Sequence, residues 1–431
     1  LIAARPASAE ATLIVEADSG KVLHAEHATY PWYPASITKL MTSYVILRAI
    51  KERRITLDTV FTAGPNAVAQ GPTKMGFPIG SKLTVDNAIK MLMVKSANDV
   101  AVVLAEGLSG SIEKFADEMN AASKRLGMTQ SSWVNPNGLP ADEQITSARD
   151  MAILARALIL EFPEYEAYWR IPAIQYGRRT MPNHNGLMTY YPGTDGMKTG
   201  FICASGFNVV ATASRNGRRL IVVVLGSSSG GARTIKAAQL FEKGFNGSGL
   251  SWLMPSLGSV DALQPIAAAP PNLRDETCGP GRKRPASEEA EADEIPTTAS
   301  SDTDQSSAYT VSARMLRDRL GKHMTMLGGT PVAAMPPVVV YLGPTRKQGE
   351  TLVASRTGKR KGGLAEAPAT ATASMGPSFG LSPSNGSPPT TAFAPASAES
   401  TPVAMTPNGE ATDGVVPVPR PRPKRHAAKS K

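Results

Sequence analysis

Residues 34–42 read Pro34-Ala35-Ser36-Ile37-Thr38-Lys39-Leu40-Met41-Thr42. Proline has its φ preset for a first helical turn and needs no partner there for a missing N–H, so Pro34 opens a helix. Ile37, Leu40, Met41, Tyr44 and Val45 then fall along one helical face, and the pattern runs to about Ile50. Ser36 and Lys39, three apart, share a face, close enough for an amine to exchange a proton with a hydroxyl. A serine hydroxyl is a poor nucleophile until a base takes its proton, and lysine serves only where its surroundings favour the neutral amine. A helix start at Ser36 also offers backbone N–H groups to an oxyanion. Ser-x-x-Lys by itself is common, as a helix cap followed by an exposed lysine, so its meaning depends on the rest of the chain.

Toward the amino terminus, apolar runs at 12–16 and 22–26 flank Asp18-Ser19-Gly20, a turn between two strands. Toward the carboxy terminus, helices are expected at 85–94, 98–108 and 112–126. In the last, Ile112, Phe115, Met119 and Ala122 keep the helical period and Gly127 marks the stop. Ser147 with Asp150 three residues on resembles a capped start for another helix, carrying Met151, Leu154 and Leu158. Strand-like segments at 197–204, 207–213 and 220–225 have connections too short for parallel crossovers, so antiparallel hairpins are expected. A closing helix follows at 233–245. The expected fold is α+β: an antiparallel sheet flanked by helices, plus a helical lobe, with a cleft between them.

Two further clusters carry chemistry. Ser96-Ala97-Asn98 sits at a break between two helices, where a hydroxyl and an amide can point into a cleft; an N-cap for the second helix is the plainer reading. Lys198-Thr199-Gly200 begins the carboxy-terminal strands. There a lysine and a hydroxyl can bind a carboxylate, and glycine permits close approach of a ligand backbone. The plainer reading is an edge-strand charge that discourages pairing.

The ordered set Ser-x-x-Lys, Ser-x-Asn and Lys-Thr-Gly occurs in class A β-lactamases and penicillin-binding proteins. The wider blocks are Asp18-Ser19-Gly20, Pro34 to Thr42, Ser96-Ala97-Asn98-Asp99, Asn135-Pro136-Asn137-Gly138-Leu139-Pro140 and Asp195-Gly196-Met197-Lys198-Thr199-Gly200. Together they resemble the serine D-alanyl-D-alanine carboxypeptidases, the low-molecular-weight penicillin-binding proteins, over residues 10–245. The resemblance implies a β-lactamase/transpeptidase-like fold and an acyl-enzyme at Ser36. It implies Lys39 as proton acceptor, Ser96 as a shuttle to the leaving D-Ala amine, and Asn98 holding Lys39 and the substrate amide. Lys198 and Thr199 would face the substrate carboxylate beside Gly200. The N–H groups of Ser36 and Phe201 would form the oxyanion hole, and Arg233, leading into the last helix, would bind the terminal carboxylate. A bidentate arginine suits that carboxylate better than a second lysine. Peptidoglycan stem peptides and β-lactam inhibitors are the implied partners, with no cofactor. A D,D-endopeptidase of the same family and a non-catalytic cell-wall-binding protein remain alternatives.

Composition bounds the rest. The 46 Lys plus Arg exceed the 36 Asp plus Glu in 431 residues, a formal charge of +10. That favours an anionic surface or polymer, while the lack of a basic stripe interleaved with aromatics speaks against nucleic acid. No His pairs with Cys or a carboxylate at ligand spacing, so no metal is expected. No 18-residue apolar run predicts a transmembrane segment. Residues 1–9 end in small residues, like the end of an export signal, or form a flexible terminus; a periplasmic or otherwise extracytoplasmic protein is expected. Residues 246–431, rich in Pro, Ser and Ala with separated charge blocks, read as a largely disordered tail. Its basic end offers a peripheral envelope contact. Two islands stand out there, a helix at 309–320 and a strand or docking segment at 336–342. Cys203 and Cys278 read as one buried and one exposed thiol with no bridge.

Overall fold

Each apolar run at the ends of residues 10–245 becomes a strand of one sheet: β1 (Ala11–Glu16) and β2 (Val22–Glu26) from the start, and β7 (Thr194–Ile202), β8 (Gly206–Arg215) and β9 (Arg218–Ser227) from the end. In the computed structural model residues 10–247, 257–280 and 335–344 are described, all within the unit Leu1–Leu352. The sheet order is β2-β1-β9-β8-β7, and every pairing is antiparallel. The amino-terminal hairpin therefore docks against the last strand of the meander, which places β9 in the middle and β7 on an edge.

Central position explains the composition of β9. Leu220 to Leu225 are all fully buried, as expected for a strand covered on both faces. Ile221, Val223 and Leu225 enter the core shared with the helical lobe. Leu220, Val222 and Val224 enter a second core under α8 (Gly230–Asn246) with Ala237 and Phe241. Each such side chain contributes roughly 1.5–3 kcal/mol relative to exposure.

Between the two parts of the sheet lies the helical lobe. A 3-10 turn, Ala35–Thr38, runs into α1 (Lys39–Lys51). The small hairpin of β3 (Val60–Thr62) and β4 (Lys82–Thr84) encloses the short α2 (Pro65–Val68). Then come α3 (Val85–Val94), α4 (Asn98–Ser109), α5 (Ile112–Leu126) and α6 (Ala148–Glu161). Side chains of Thr84, Ser111 and Ser147 accept hydrogen bonds from backbone N–H groups three residues on, satisfying otherwise orphaned donors. Left-handed Gly127 ends α5, where the sequence places the stop. A hairpin of β5 (Ala173–Tyr176) and β6 (Arg179–Pro182), then α7 (Leu187–Tyr190), lead back to β7.

Two segments beyond residue 246 pack onto this body. Residues 257–280 include α9 (Arg274–Cys278), and residues 335–344 include β10 (Val338–Val340). β10 pairs in parallel with β5, matching Val340 to Tyr176, and Tyr341 N–H donates to Asn87 Oδ1 at 3.2 Å. The segment noted at 336–342 is thus a docked strand. Cys203 and Cys278 are joined in a disulfide, which overturns the reading of two separate thiols. Chain folding brings the end of β7 and α9 together across 75 residues of sequence, a juxtaposition that cysteine spacing alone does not reveal. The amino-terminal nine residues, the stretch 309–320 and the basic end lie outside the described residues.

Candidate active site

Ser36 sits on the 3-10 turn rather than inside α1, directly after Ala35, whose φ is +50°. That left-handed backbone is costly for a residue with a Cβ and is held by its surroundings. The serine is only partly buried, while Lys39, one turn later, is completely enclosed. Lys39 Nζ lies 2.8 Å from Ser36 Oγ. It also donates to Asn98 Oδ1 at 2.8 Å and to the Asn137 carbonyl at 2.6 Å. The latter two oxygens can only accept. Nζ therefore donates to both, while the Ser36 hydroxyl is able either to accept from an ammonium or to donate to the lone pair of a neutral amine.

Asn98 begins α4 and spans two walls of the site. Its amide also donates to the carbonyls of Gly71 and Pro72, at 3.1 and 3.0 Å. Asp99 fixes the same loop by accepting from the N–H groups of Met75 and Gly76 at 3.1 and 2.9 Å. Ser96 is 2% exposed, has φ of +61°, and its buried Oγ has no hydrogen-bond partner among the described residues. A buried hydroxyl left unpartnered in a strained backbone costs stability, and such groups concentrate at functional sites. The N-cap alternative for this cluster fails: the cap residue of α4 is Ala97, with no side-chain cap bond.

β7 forms the opposite wall. A Cβ built on Gly200 would stand 2.8 Å from Ser36 N and 2.9 Å from Ile37 N. The glycine is needed, but it accommodates the backbone of Ser36 and Ile37 where the sequence suggested a ligand. Lys198 is 2% exposed and donates to the Thr199 carbonyl at 2.8 Å. It is therefore no solvent-facing edge charge, although β7 is the edge strand. Thr199 is buried, and half-buried Phe201 stacks on Phe207 with ring centroids 4.2 Å apart. Arg233, in the first turn of α8, is 5% exposed. It points to the carbonyls of Asn208 and His184 at 3.4 and 3.3 Å and lies 5.9 Å from the Phe207 ring centre.

The contacts that brace this arrangement had little signal in the sequence. Asn137 acts through a backbone carbonyl. A Cβ on Gly138, at φ +82°, would overlap the Ala35 carbonyl at 1.9 Å, so this residue must be glycine for the loop to close on the Ala35–Thr38 turn. Asn208, fully buried on β8, donates to the carbonyls of Tyr33 and Pro34 at 3.0 and 3.1 Å and so ties the sheet to the segment leading to Ser36.

A serine with a lysine at hydrogen-bond distance, a Ser-x-Asn corner and a Lys-Thr-Gly strand around one turn restrict the family. Residues 2–229 match the family model for D-alanyl-D-alanine carboxypeptidase, peptidase family S11. The chain belongs to this family. Among relatives of this S11-family chain, D-alanyl-D-alanine carboxypeptidase DacC of Escherichia coli is 36% identical over 244 residues, 55% of this chain and 61% of DacC. DacF of Bacillus subtilis is 32% identical over 244 residues, 55% of this chain and 62% of DacF. The match thus spans about three fifths of the length of these relatives. Among solved structures, D-alanyl-D-alanine carboxypeptidase DacD from Francisella tularensis superposes with a TM-score of 0.53 at 30% identity, covering 56% of this chain and 72% of that one. Penicillin binding protein 5 from Haemophilus influenzae gives 0.53 at 32% identity, covering 56% and 71%. The S11 chain shares their transpeptidase/β-lactamase-like fold.

Proposed function

We propose that the protein is a serine D-alanyl-D-alanine carboxypeptidase that removes the terminal D-Ala from peptidoglycan stem peptides and is inhibited by penicillin. The observation carrying this reading is the Lys39 amine, 2.8 Å from Ser36 Oγ, with its other hydrogen bonds pinned by Asn98 and Asn137. In this reading Ser36 Oγ attacks the carbonyl between the two D-Ala residues as Lys39 accepts its proton. The N–H groups of Ser36 and Phe201 stabilise the tetrahedral oxyanion. Ser96, whose hydroxyl has no competing partner, passes a proton to the departing amine. D-Ala leaves, Ser36 holds the acyl ester, and water releases the shortened peptide. Lys198, Thr199 and Arg233 face the substrate's terminal carboxylate, where a charge-assisted arginine fork fixes the cleavage position.

An extracytoplasmic location follows from the same reading, because its substrate lies there and because the Cys203–Cys278 bridge persists in oxidising compartments. The basic carboxy-terminal residues 420–431 suit contact with anionic envelope polymers. The test is incubation of the full chain with purified muropeptides followed by mass spectrometry. Loss of one terminal D-Ala supports carboxypeptidase activity; cleavage of crosslinks alone would assign the same acyl-enzyme chemistry to an endopeptidase.

A further inference from the structure

The family match ends at residue 229, yet the segment 257–280 beyond it reaches the turn after β7, close to Phe201. Its start is fixed at the far side of the sheet, where Val22 N–H donates to the Gly258 carbonyl at 2.9 Å and Val260 N–H to that of Gly20 at 2.9 Å. At the next residue, buried Arg149 donates to the Asp261 carbonyl at 3.0 Å. Its end grips the turn joining β7 to β8: Leu273 N–H donates to the Ala204 carbonyl at 2.9 Å, and Cys278 is bonded to Cys203. The same turn receives the Trp32 indole N–H, which donates to the Ser205 carbonyl at 3.0 Å. One turn therefore joins the segment, the end of β7 and the chain leading to Ser36.

β7 needs such a brace. Among the described residues it is paired only with β8, and an edge strand is most prone to local opening at its end. Phe201 lies two residues from Cys203, and neighbouring Gly200 abuts Ser36 N. We propose that residues 257–280, locked by the Cys203–Cys278 disulfide, are a positioning strap that holds the Phe201 N–H at its working distance from Ser36. Cys203, Cys278 and Leu273 are positioning residues, acting through the turn. The proposal rests on Ser36 being acylated as described above.

The test is stopped-flow acylation by a fluorescent penicillin, separating the acylation rate constant from the affinity of the initial complex. The full chain has only two cysteines, so dithiothreitol acts on this bond alone. Its two thiols supply two electrons and two protons, leaving two protein thiols and the cyclic oxidised reagent. The reduced chain and Cys278→Ala should acylate about tenfold more slowly, given that a displacement near 1 Å costs on the order of 100-fold. Initial affinity should change less, and reoxidation of the reduced parent should restore the rate. Leu273→Pro, which removes the N–H donor but keeps the disulfide, should give a smaller loss in the same rate constant. Met119→Ala in α5, which opens a cavity in the helical lobe, serves as a control of similar thermal destabilisation and should acylate at the parental rate. Parental acylation rates in the reduced chain and in Leu273→Pro would overturn the strap, as would an equal loss in Met119→Ala. If the oxidised parent takes no label at all, the assignment of Ser36 fails, and the strap with it.

Discussion

Replacing Gly200 by alanine would measure how tightly β7 must press on the turn bearing Ser36. The added Cβ meets Ser36 N at 2.8 Å, Ile37 N at 2.9 Å and the Pro34 carbonyl at 3.0 Å. All three are backbone atoms, and none can rotate aside as a side-chain end would. Bringing the closest pair to ordinary contact requires β7 or the 3-10 turn to retreat by roughly half an ångström. Overpacking of this kind costs about 1–3 kcal/mol, equivalent to a fall in Tm of about 3–10 °C for a body of this size. The catalytic effect comes from the same shift, since Phe201 moves with Gly200. If a 1 Å misplacement costs on the order of 100-fold, half of it costs about tenfold. Complete loss of an oxyanion donor, about 100- to 1,000-fold, is the ceiling. The assay pairs the acylation rate constant for a fluorescent penicillin with thermal unfolding, and Gly200→Ser should be at least as slow as Gly200→Ala. An alanine variant with the parental rate and Tm would refute the close-approach argument.

Three further outcomes are expected. Arg233→Ala should lower kcat/KM by about 10- to 100-fold on substrates ending in a free D-Ala carboxylate, from loss of a charge-assisted contact of roughly 1.5–3 kcal/mol. An ester analogue lacking that carboxylate should change much less, and equal losses on both would make Arg233 a general support of the cleft. Hydrogen bonding from Arg215 is the main reason the Glu242 carboxyl falls from its usual 4.5 to about 2. A depressed folded pKa gives stability that is present above the unfolded value and lost as pH falls through the folded one. The parent should therefore lose this contribution between about pH 4.5 and 2, while Glu242→Gln lacks that slope in Tm against pH; high salt should shrink the difference, because the pair is partly exposed. Limited proteolysis should leave 257–280 attached to the 10–247 body, with faster loss of 335–344 in Val340→Asp, which puts a charge at a position 1% exposed; unchanged protection in that variant would argue against β10 docking.

Much of this architecture was legible because local rules and tertiary demands agree. Gly127 stops α5 and Ser147 caps α6, each through a contact within a few residues. The meander followed from connections too short for any other pairing. The three reactive clusters were visible because hydroxyl, amine and amide recur at fixed short spacings. What brings them together was less so. The Asn137 carbonyl is a backbone atom that every residue possesses, and its 2.6 Å contact with Lys39 exists only after the loop 135–140 closes on α1. Gly138 was quoted as part of a block, but its necessity lies in the position of Ala35. Lys198 sat on the expected edge strand, yet it is buried, because the helical lobe covers that face. The Cys203–Cys278 bond depends on Cα atoms 5.6 Å apart, a distance set by the path of 257–280 around the body and its Leu273–Ala204 hydrogen bond, not by the spacing of the cysteines in the sequence.

The central claim is that Ser36 is the acylated nucleophile. Its most direct test is peptide mapping by mass spectrometry after brief exposure of the full chain to a penicillin, in parallel with Ser36→Ala checked for folding by circular dichroism. The account predicts one adduct, on the peptide containing Ser36, and none on the folded alanine variant, whose substitution at a helix start costs at most about 1–2 kcal/mol. A stoichiometric adduct on any other residue, or undiminished labelling of folded Ser36→Ala, would contradict it.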